Sequence, residues 1–261
     1  MDFFQAFVLG TVQGFTELLP ISSSAHLFLI PWIFKWNIPE SFDVALHFGT
    51  LLAIILFFGK DWINLIKGGI RQIKGEKNTE AKMLKYIIIA TIPGGIIGFL
   101  LDHYAQEVMN NPLIIALALI IMGITLYVVD ILAKNEVKYE EMTFKQTFLI
   151  GLSQALAFIP GVSRSGITMT TGRMLGVKRE ACAKYSFMLS TPIVLGATIY
   201  KLNEFTFNLS FVVGVLTSLI VGIFVIKVLL EYLKKGSYKV FAIYRVILGL
   251  SVVILIYLRI C

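Results

Sequence analysis

Six long apolar runs constrain this chain more than any other feature of its sequence. A helix needs about 20 residues to cross a bilayer core ~30 Å thick. Runs long enough for this lie near residues 42–59, 84–102, 112–133, 183–201, 208–230 and 240–259. Of the 261 residues, 57% are hydrophobic and 15% are charged, whereas a soluble domain carries about 25% charged residues. The sequence therefore predicts an all-α, multi-pass protein of the cell membrane, with residues 1–261 forming a single membrane domain.

The charged residues are distributed as orientation signals and not as a nucleic-acid surface. The formal net charge is +7, but the basic residues stand in short clusters beside apolar runs, as they do in cytoplasmic loops. No segment resembles a nucleic-acid-binding module, so we expect no nucleic-acid partner. The cysteines, Cys182 and Cys261, are isolated in the sequence and indicate neither a disulfide framework nor a cysteine-based metal site.

Two further apolar regions, residues 3–34 and 146–176, differ from the six runs because each is interrupted in its middle. Pro20 precedes a cluster of serines in the first region, and Pro160 precedes a Gly-Val-Ser-Arg-Ser sequence in the second. The arms on either side are short for a full crossing. Non-helical backbone at membrane depth persists only where protein or a wet cavity surrounds it. Both regions are therefore predicted to be re-entrant helical hairpins.

The positions of lysine and arginine predict the orientation of these elements. Loops 103–111 and 202–207 contain neither residue, whereas four segments are rich in them: 60–85, 134–145, 173–184 and 227–239. With six spans and two hairpins that return to their own side, all four basic segments fall on the cytoplasmic side. Both termini are then expected outside.

The chain is also predicted to contain an internal repeat of inverted topology. A shift of 141 residues aligns four identities: Gly10 with Gly151, Gln13 with Gln154, Ser22 with Ser163 and Ser24 with Ser165. Each half, about 1–140 and about 141–261, then holds one hairpin and three spans. Because three is odd, the second half is inverted relative to the first. Inverted repeats of this kind place their sites near the midplane, at discontinuous helices.

The first hairpin carries ionisable groups at membrane depth, which are costly there and mark candidate functional residues. Gln13 and Glu17 are four residues apart and share a helix face, and His26 follows the turn of residues 22–24. Glu17 is a candidate to bind a divalent ion or to act as an acid or base. A turn serine or His26 is a candidate nucleophile. His47, in the first full span, is a further candidate to line the same cavity.

The second hairpin adds Arg164 between Ser163 and Ser165, with Thr168 one turn later. A planar guanidinium suits a pair of phosphate oxygens. Serine hydroxyls and N–H groups at a helix start are further donors to an anion. Together with the Glu17 carboxylate, these groups indicate phosphate chemistry, with Mg²⁺ or Ca²⁺ as the expected divalent cation because hard oxygen ligands prefer hard cations.

Each of these features also has a purely structural interpretation. Glu17 and Arg164 form a pair that joins the hairpins in that interpretation, and the serines only cap the broken helices. His26 is then a packed polar residue. The sequence alone leaves these alternatives open.

The two interrupted segments carry a resemblance to a known family. The pattern Gln13-x-x-x-Glu17, followed by Pro20-x-Ser22-Ser23-x-x-His26, and the pattern Pro160-Gly161-x-Ser163-Arg164-Ser165-x-x-Thr168 closely resemble the undecaprenyl-diphosphate phosphatases of the bacitracin-resistance type. The resemblance covers nearly the whole chain and includes the span count and the reversed repeat. It implies a membrane hydrolase that converts a polyprenyl diphosphate lipid to its monophosphate and phosphate, for cell-wall and peptidoglycan synthesis.

The resemblance also implies roles for individual residues. Glu17 and Gln13 would serve the metal or acid–base role, and Ser23 or His26 would attack phosphorus unless water does so. The remaining motif residues would hold the diphosphate: Arg164, with Ser22, Gly161, Ser163, Ser165 and Thr168. This chain has Gln13 where many members have Glu, which leaves one carboxylate in the pair. It also has His47 where Gln is expected in many members.

Two other function classes compete with this interpretation. Inverted repeats with re-entrant hairpins are typical of secondary transporters, so a transporter or lipid flippase is the main alternative. A lipid phosphatase of the phosphatidic-acid type is the other, but its Pro-Ser-Gly-His and paired Arg–His motifs are absent from the sequence. Release of a chemically altered product distinguishes an enzyme from a transporter. A homodimer is one of the assemblies that the sequence leaves open.

Overall fold

The computed structural model describes residues 1–109, 111–205 and 208–260, and the regular structure in this part of the chain is helical. The helices are α1 Phe3–Thr16, α2 Ser23–Phe34, α3 Glu40–Phe57, α4 Gly59–Ile73, α5 Thr79–Met109, α6 Pro112–Leu132, α7 Phe144–Ser153, α8 Arg164–Met174, α9 Arg179–Tyr200, α10 Leu209–Leu233 and α11 Lys239–Ile260. Short 3₁₀ turns lie at Tyr139–Glu141, Gln154–Phe158 and Leu202–Glu204. Cys261 and parts of the predicted loops 103–111 and 202–207 lie outside the described residues.

Each of the six predicted spans falls on a helix, but the helices are not equally suited to lipid. Within the described ranges, four stretches are long and apolar enough to cross a membrane: Thr79–Gly98, Pro112–Leu132, Leu209–Leu233 and Lys239–Leu258. Helices α3 and α4 meet that test only jointly, as a pair bent by 70°. Helix α9 buries Ser186, Ser190 and Thr191 inside the protein. The prediction of an all-helical, multi-pass membrane protein is confirmed.

Helix α6 shows how an apolar helix divides its surface between lipid and protein. Its buried side includes Ala116 and Leu119 and packs along α11. Its other side exposes an apolar stripe: Leu113, Leu117, Ile121, Ile124, Val128 and Ile131. Because these residues recur every three or four positions, they form one continuous face. Such a face is stable only in contact with lipid tails or another apolar surface.

Both interrupted apolar regions fold as helix–turn–helix units. Helix α1 turns into α2 and packs along α10, while α7 turns into α8 and packs along α5. Glycines permit both close approaches, since a Cβ atom at Gly10 would lie 2.7 Å from the Gly214 carbonyl oxygen. A Cβ atom at Gly151 would likewise overlap the backbone of Ala90. The second hairpin departs from the prediction in one respect, because its first arm ends as a 3₁₀ turn at Gln154–Phe158.

The interpretation of the basic segments as loops is wrong for residues 60–85, and the segments 173–184 and 227–239 also include helix ends. Residues 60–85 contain most of helix α4 and the start of α5. The apolar residues of α4 recur with helical spacing between its lysines, so this segment folds as an amphipathic helix in spite of its charge. Helix α5 also continues to Met109, into the predicted loop 103–111.

A buried carboxylate joins four helices at the end of the molecule opposite the hairpin turns. Asp130 Oδ1 accepts hydrogen bonds from Arg173 Nε at 3.0 Å and from Arg179 Nε at 2.7 Å. Its Oδ2 accepts from the Tyr238 N–H at 2.9 Å. Arg173 also donates to the carbonyl oxygens of Ala133 and Lys134, where α6 ends. The contact therefore fixes the far end of α8, the hairpin helix that begins at Arg164.

Replacing Asp130 with Asn should destabilise the protein strongly. Arg173 is fully buried, and removal of the partner of a buried charge costs about 3–5 kcal/mol. We expect the melting temperature in detergent to fall by about 10 °C or more.

The control is Asp61→Asn, which breaks the partly exposed pair of Asp61 with Lys184. Pairs of this kind contribute about 1 kcal/mol or less. Thermal unfolding followed by tryptophan fluorescence compares the two variants. Equal losses would contradict the role given to Asp130.

Candidate active site

Glu17 lies at the centre of the polar cluster that the two hairpins form. It caps the C-terminal end of α1 and is buried. Its Oε1 accepts a hydrogen bond from Arg164 Nη2, so its charge is paired with a residue of the other hairpin. Its Oε2 accepts from the Ser23 hydroxyl at 2.6 Å and from Gln13 Nε2 at 3.3 Å. One carboxylate therefore contacts an amide, a hydroxyl and a guanidinium from three places in the sequence.

His47 approaches the same carboxylate from helix α3. Its Nε2 lies 3.3 Å from Glu17 Oε2, and its Nδ1 lies 2.8 Å from the Asp43 carbonyl oxygen. A carbonyl only accepts, so Nδ1 carries a proton. His47 would be a cation beside Glu17 only with a second proton on Nε2. The side chain is about one-third exposed at 31%, so it is more accessible than the buried Glu17 carboxylate.

The first hairpin turns at a serine with an unusual backbone. Ser22 has a φ of 75°, in the left-handed region that costs a non-glycine residue of order 1–3 kcal/mol. Its hydroxyl accepts a hydrogen bond from the Ala25 N–H at 3.4 Å and so caps helix α2. Ser23, the first residue of α2, is thereby held against Glu17.

The second hairpin repeats this geometry. Ser163 has a φ of 73° and accepts a hydrogen bond from the Gly166 N–H at 3.1 Å. Arg164 is the first residue of α8, as Ser23 is of α2. Strained residues of this kind concentrate at functional sites. Two helix N-termini, each with N–H groups that the helix leaves unbonded, meet at Glu17, and together they form an environment that favours an anion.

Some of the predicted site residues meet at Glu17, and the others do not contact it. Gln13, Glu17, Ser23 and Arg164 are brought together, as described above. The other predicted binding residues are buried and have hydrogen-bond partners elsewhere in the protein: Ser22, Gly161, Ser163, Ser165 and Thr168. The Thr168 hydroxyl donates to the Arg164 carbonyl oxygen and contacts Ser186 at 2.8 Å. In this conformation, none of these five residues is hydrogen-bonded to Glu17 in the described part of the chain.

His26 is also committed to the scaffold. Its Nδ1 donates to the Ser22 carbonyl oxygen at 2.7 Å, and its Nε2 lies 2.6 Å from the Tyr244 hydroxyl. The ring stacks on Tyr244 and is 7% exposed. Both ring nitrogens thus have partners, and neither faces Glu17.

Arg245, on helix α11, was missed by the sequence analysis although it connects the two turns. Its Nη1 donates to the Pro20 carbonyl oxygen at 3.0 Å, and its Nη2 donates to the Gly161 and Val162 carbonyl oxygens at 2.7 and 2.9 Å. The side chain is fully buried. Its charge in the middle of an apolar run was the available signal, since ionisable residues inside spans are costly and functional.

Gln13 and Glu17 are the residues at the cluster whose oxygen atoms could hold a divalent ion. Gln13 Oε1 is buried and has no hydrogen-bond partner among the described residues, and it stands beside the Glu17 carboxylate. In the described part of the chain, no group of three or more His, Cys, Asp or Glu residues could hold a metal. Mg²⁺ is commonly bound through one or two carboxylates together with substrate phosphates, so Gln13 and Glu17 fit that arrangement but not a protein-only cage.

Comparison with known proteins shows the family of this chain. The family model described as bacitracin resistance protein BacA matches residues 6–251. The undecaprenyl-diphosphatase of Pelotomaculum thermopropionicum is 48% identical over 259 residues, which cover 98% of this chain and 97% of the relative. The undecaprenyl-diphosphatase of Moorella thermoacetica is 45% identical and covers 99% of this chain and 100% of its own length. That of Caldicellulosiruptor bescii is 46% identical, with 99% and 98% covered. The chain belongs to the BacA family of bacitracin resistance proteins.

Proposed function

We propose that this protein hydrolyses undecaprenyl diphosphate to undecaprenyl phosphate and inorganic phosphate, which recycles the lipid carrier for cell-envelope polymer synthesis. The observation that carries the proposal is the Glu17 carboxylate, which accepts the Ser23 hydroxyl on one oxygen and the Arg164 guanidinium on the other. A base is thus in contact with both a hydroxyl nucleophile and a phosphate-binding cation. The names of the relatives, undecaprenyl-diphosphatase, support the same activity.

Substrate binding is proposed to begin at Arg164. Without substrate its guanidinium pairs with Glu17. A terminal phosphate carries more charge than a carboxylate and matches the guanidinium in a bidentate manner, so it competes for Arg164. The N–H groups at the starts of α2 and α8 supply further donors. When Arg164 turns to the phosphate, Glu17 loses its strongest partner and becomes a better acceptor for the Ser23 proton.

The chemical step follows from the Ser23–Glu17 hydrogen bond. Ser23 Oγ attacks the terminal phosphorus while its proton passes to Glu17. The bond from that phosphorus to the bridging oxygen breaks, and undecaprenyl phosphate leaves. Water then attacks the phosphoserine while Glu17 returns its proton to the Ser23 oxygen, which releases inorganic phosphate as H2PO4⁻ and restores both the serine hydroxyl and the carboxylate. His26 is assigned a supporting role, because its ring nitrogens contact Ser22 and Tyr244.

A divalent cation, Mg²⁺ or Ca²⁺, is proposed as the cofactor. Gln13 and Glu17 would hold it together with substrate oxygens. When bound, it would neutralise part of the diphosphate charge.

The fold is proposed to be an inverted repeat, with six spans and two re-entrant hairpins. The packing of the helices supports this. Helix α1 packs along α10 and α7 along α5, and α10 and α5 occupy equivalent places in the two halves. Helix α10 also contacts α3, as α5 contacts α9. The Ser22 and Ser163 turns share the same strained φ and the same capping bond.

The orientation of the site is proposed from charge. The basic segments lie on the end of the molecule where Asp130 binds Arg173 and Arg179, and lysine and arginine concentrate on the cytoplasmic side of membrane proteins. The termini and the active site would then face outside, where the hairpin turns reach a lipid headgroup while the prenyl tail stays among the spans.

The purified protein in detergent should release one phosphate for each undecaprenyl diphosphate that it converts to the monophosphate. Addition of EDTA should lower the rate by at least about tenfold, since the divalent cation offsets substrate charge, and Mg²⁺ should restore it. Phosphate assay and thin-layer chromatography of the lipid measure the two products. Release that persists in EDTA would exclude the metal, and unaltered lipid from folded protein would favour transport.

A quenched reaction with substrate labelled at its terminal phosphorus should leave label on Ser23. Phosphoserine is stable in acid and labile in base, whereas phosphohistidine is the reverse. Ser23→Ala should abolish the label and most of the turnover, and Ser24→Ala is the matched control because its hydroxyl contacts Ser22 and not Glu17. Acid-labile label on His26 would make His26 the nucleophile instead of Ser23. Turnover with no label on the protein would indicate direct attack by water.

A further inference from the structure

Helix α4 differs in direction and composition from the helices suited to cross the membrane. It follows α3 directly after a bend of 70°. If α3 runs near the membrane normal, α4 lies close to the membrane plane. Nothing in the proposed reaction uses α4, because the catalytic cluster lies on α1, α2, α3 and α8.

One face of α4 is an exposed apolar stripe. Its four isoleucines recur every three or four residues and are each more than half exposed: Ile63 at 53%, Ile66 at 52%, Ile70 at 52% and Ile73 at 88%. A residue spacing of this kind places all four on one side of a helix. A continuous apolar stripe of this length is unfavourable in water. It therefore marks a surface that contacts lipid or another apolar partner.

A basic stripe runs beside the isoleucines along the same helix. Its members are exposed and also follow helical spacing: Lys60, Lys67 and Arg71 within α4, and Lys74 at its C-cap. At 100° per residue, these four side chains fall within a narrow sector next to the isoleucine sector. Long basic side chains at such a boundary extend their charged ends from an apolar layer towards polar groups.

The rotation of the helix about its axis is fixed by its third face. Leu65 and Gly68 are buried against α5, and a Cβ atom at Gly68 would lie 2.5 Å from Glu80 Cβ. Asp61, at the start of α4, pairs with Lys184 of α9 at 2.7 Å. The isoleucine and basic stripes therefore cannot turn inwards, and both face away from the protein.

We propose that α4 is an interfacial helix that binds the anionic phospholipids of the membrane surface. The isoleucines would enter the boundary between headgroups and acyl chains, as the apolar face of an interfacial helix does. The basic stripe would then lie at the level of the phosphate groups. An anionic lipid is the occupant because it complements both stripes at once, apolar chains on one and a negative headgroup on the other.

A second copy of the chain is a weaker candidate for this face. A two-fold contact through α4 would place the basic stripe against itself, because such contacts pair each surface with its own copy. Like charges brought together in this way repel each other. A membrane surface has no such conflict, and each basic side chain near an anionic surface strengthens binding about fivefold at low salt.

Fluorescence quenching by brominated lipids tests the proposal on the full chain. The protein carries Ile66→Trp together with Trp32→Phe, Trp36→Phe and Trp62→Phe, so that the introduced indole is its single tryptophan. It is reconstituted in phosphatidylcholine vesicles with increasing amounts of chain-brominated phosphatidylglycerol or chain-brominated phosphatidylcholine. We expect half-maximal quenching at an about tenfold lower mole fraction of the anionic lipid, and a smaller preference in high salt.

The preference should disappear when Lys60, Lys67, Arg71 and Lys74 are all replaced by Gln. Replacement of Lys234, Lys235 and Lys239, which lie near α10 and α11, should leave it unchanged. A probe at Ile220→Trp, on the exposed face of α10, should show no headgroup preference. Phosphate release in detergent at the wild-type rate confirms that each variant is folded.

Two results would overturn the proposal. Equal quenching by the two brominated lipids would mean that α4 does not recognise the headgroup charge. Absence of quenching by either lipid would mean that a second copy or another protein covers the isoleucine stripe.

Discussion

The contact between Glu17 and Arg164 is the constraint on which the rest of the site depends. A carboxylate buried among apolar helices is very costly unless an opposite charge and hydrogen-bond donors surround it. Glu17 finds its charged partner 147 residues further along the chain. The two hairpins must therefore meet at this point for either charge to be buried at low cost. Their meeting brings two helix N-termini, a serine hydroxyl and an unpartnered amide oxygen into one place.

The interrupted helices also leave carbonyl groups in the two turns that need hydrogen-bond donors. Turn carbonyls at membrane depth have no water to bind, so the protein must supply donors. Arg245 supplies them to Pro20, Gly161 and Val162 at once. This guanidinium binds the turn carbonyl oxygens from helix α11. The N–H groups at the starts of α2 and α8 therefore remain available near Glu17. The structural interpretation of the polar turn residues and the functional one are thus complementary. Ser22 and Ser163 hold the turns, and Ser23 and Arg164 are held by them.

Much of this could be predicted from the sequence because the signals are local. The serine clusters interrupt two apolar regions, and Gln13 and Glu17 share a helix face, so the hairpins and their polar residues follow from periodicity and composition. The juxtaposition of Glu17 with Arg164 was expected from the chemistry of phosphate. The orientation of Thr168 was not, because its hydroxyl is fixed by Ser186, a neighbour from another helix. Tyr244 lies 218 residues from His26 and Arg245 lies 225 residues from Pro20 in the sequence, and no local pattern indicates contacts between residues so far apart. Helix α4 was overlooked because its lysines were taken as evidence of a loop, although its isoleucines already carried the helical period.

A double-mutant cycle between Glu17 and Arg164 tests the central claim most directly. The kcat/KM for phosphate release from undecaprenyl diphosphate is measured for Glu17→Gln, Arg164→Lys and the double variant, since these conservative changes are the ones most apt to retain measurable turnover. The account predicts that the double variant is no more than about tenfold slower than the worse single one, because residues that act as a unit are strongly non-additive. A parallel cycle of Glu17→Gln with Lys184→Gln, which shares no partner with Glu17, should be additive. If the reductions in kcat/KM of the two single variants multiply in the double variant, the account is contradicted. The two hairpins would then contribute to the reaction independently.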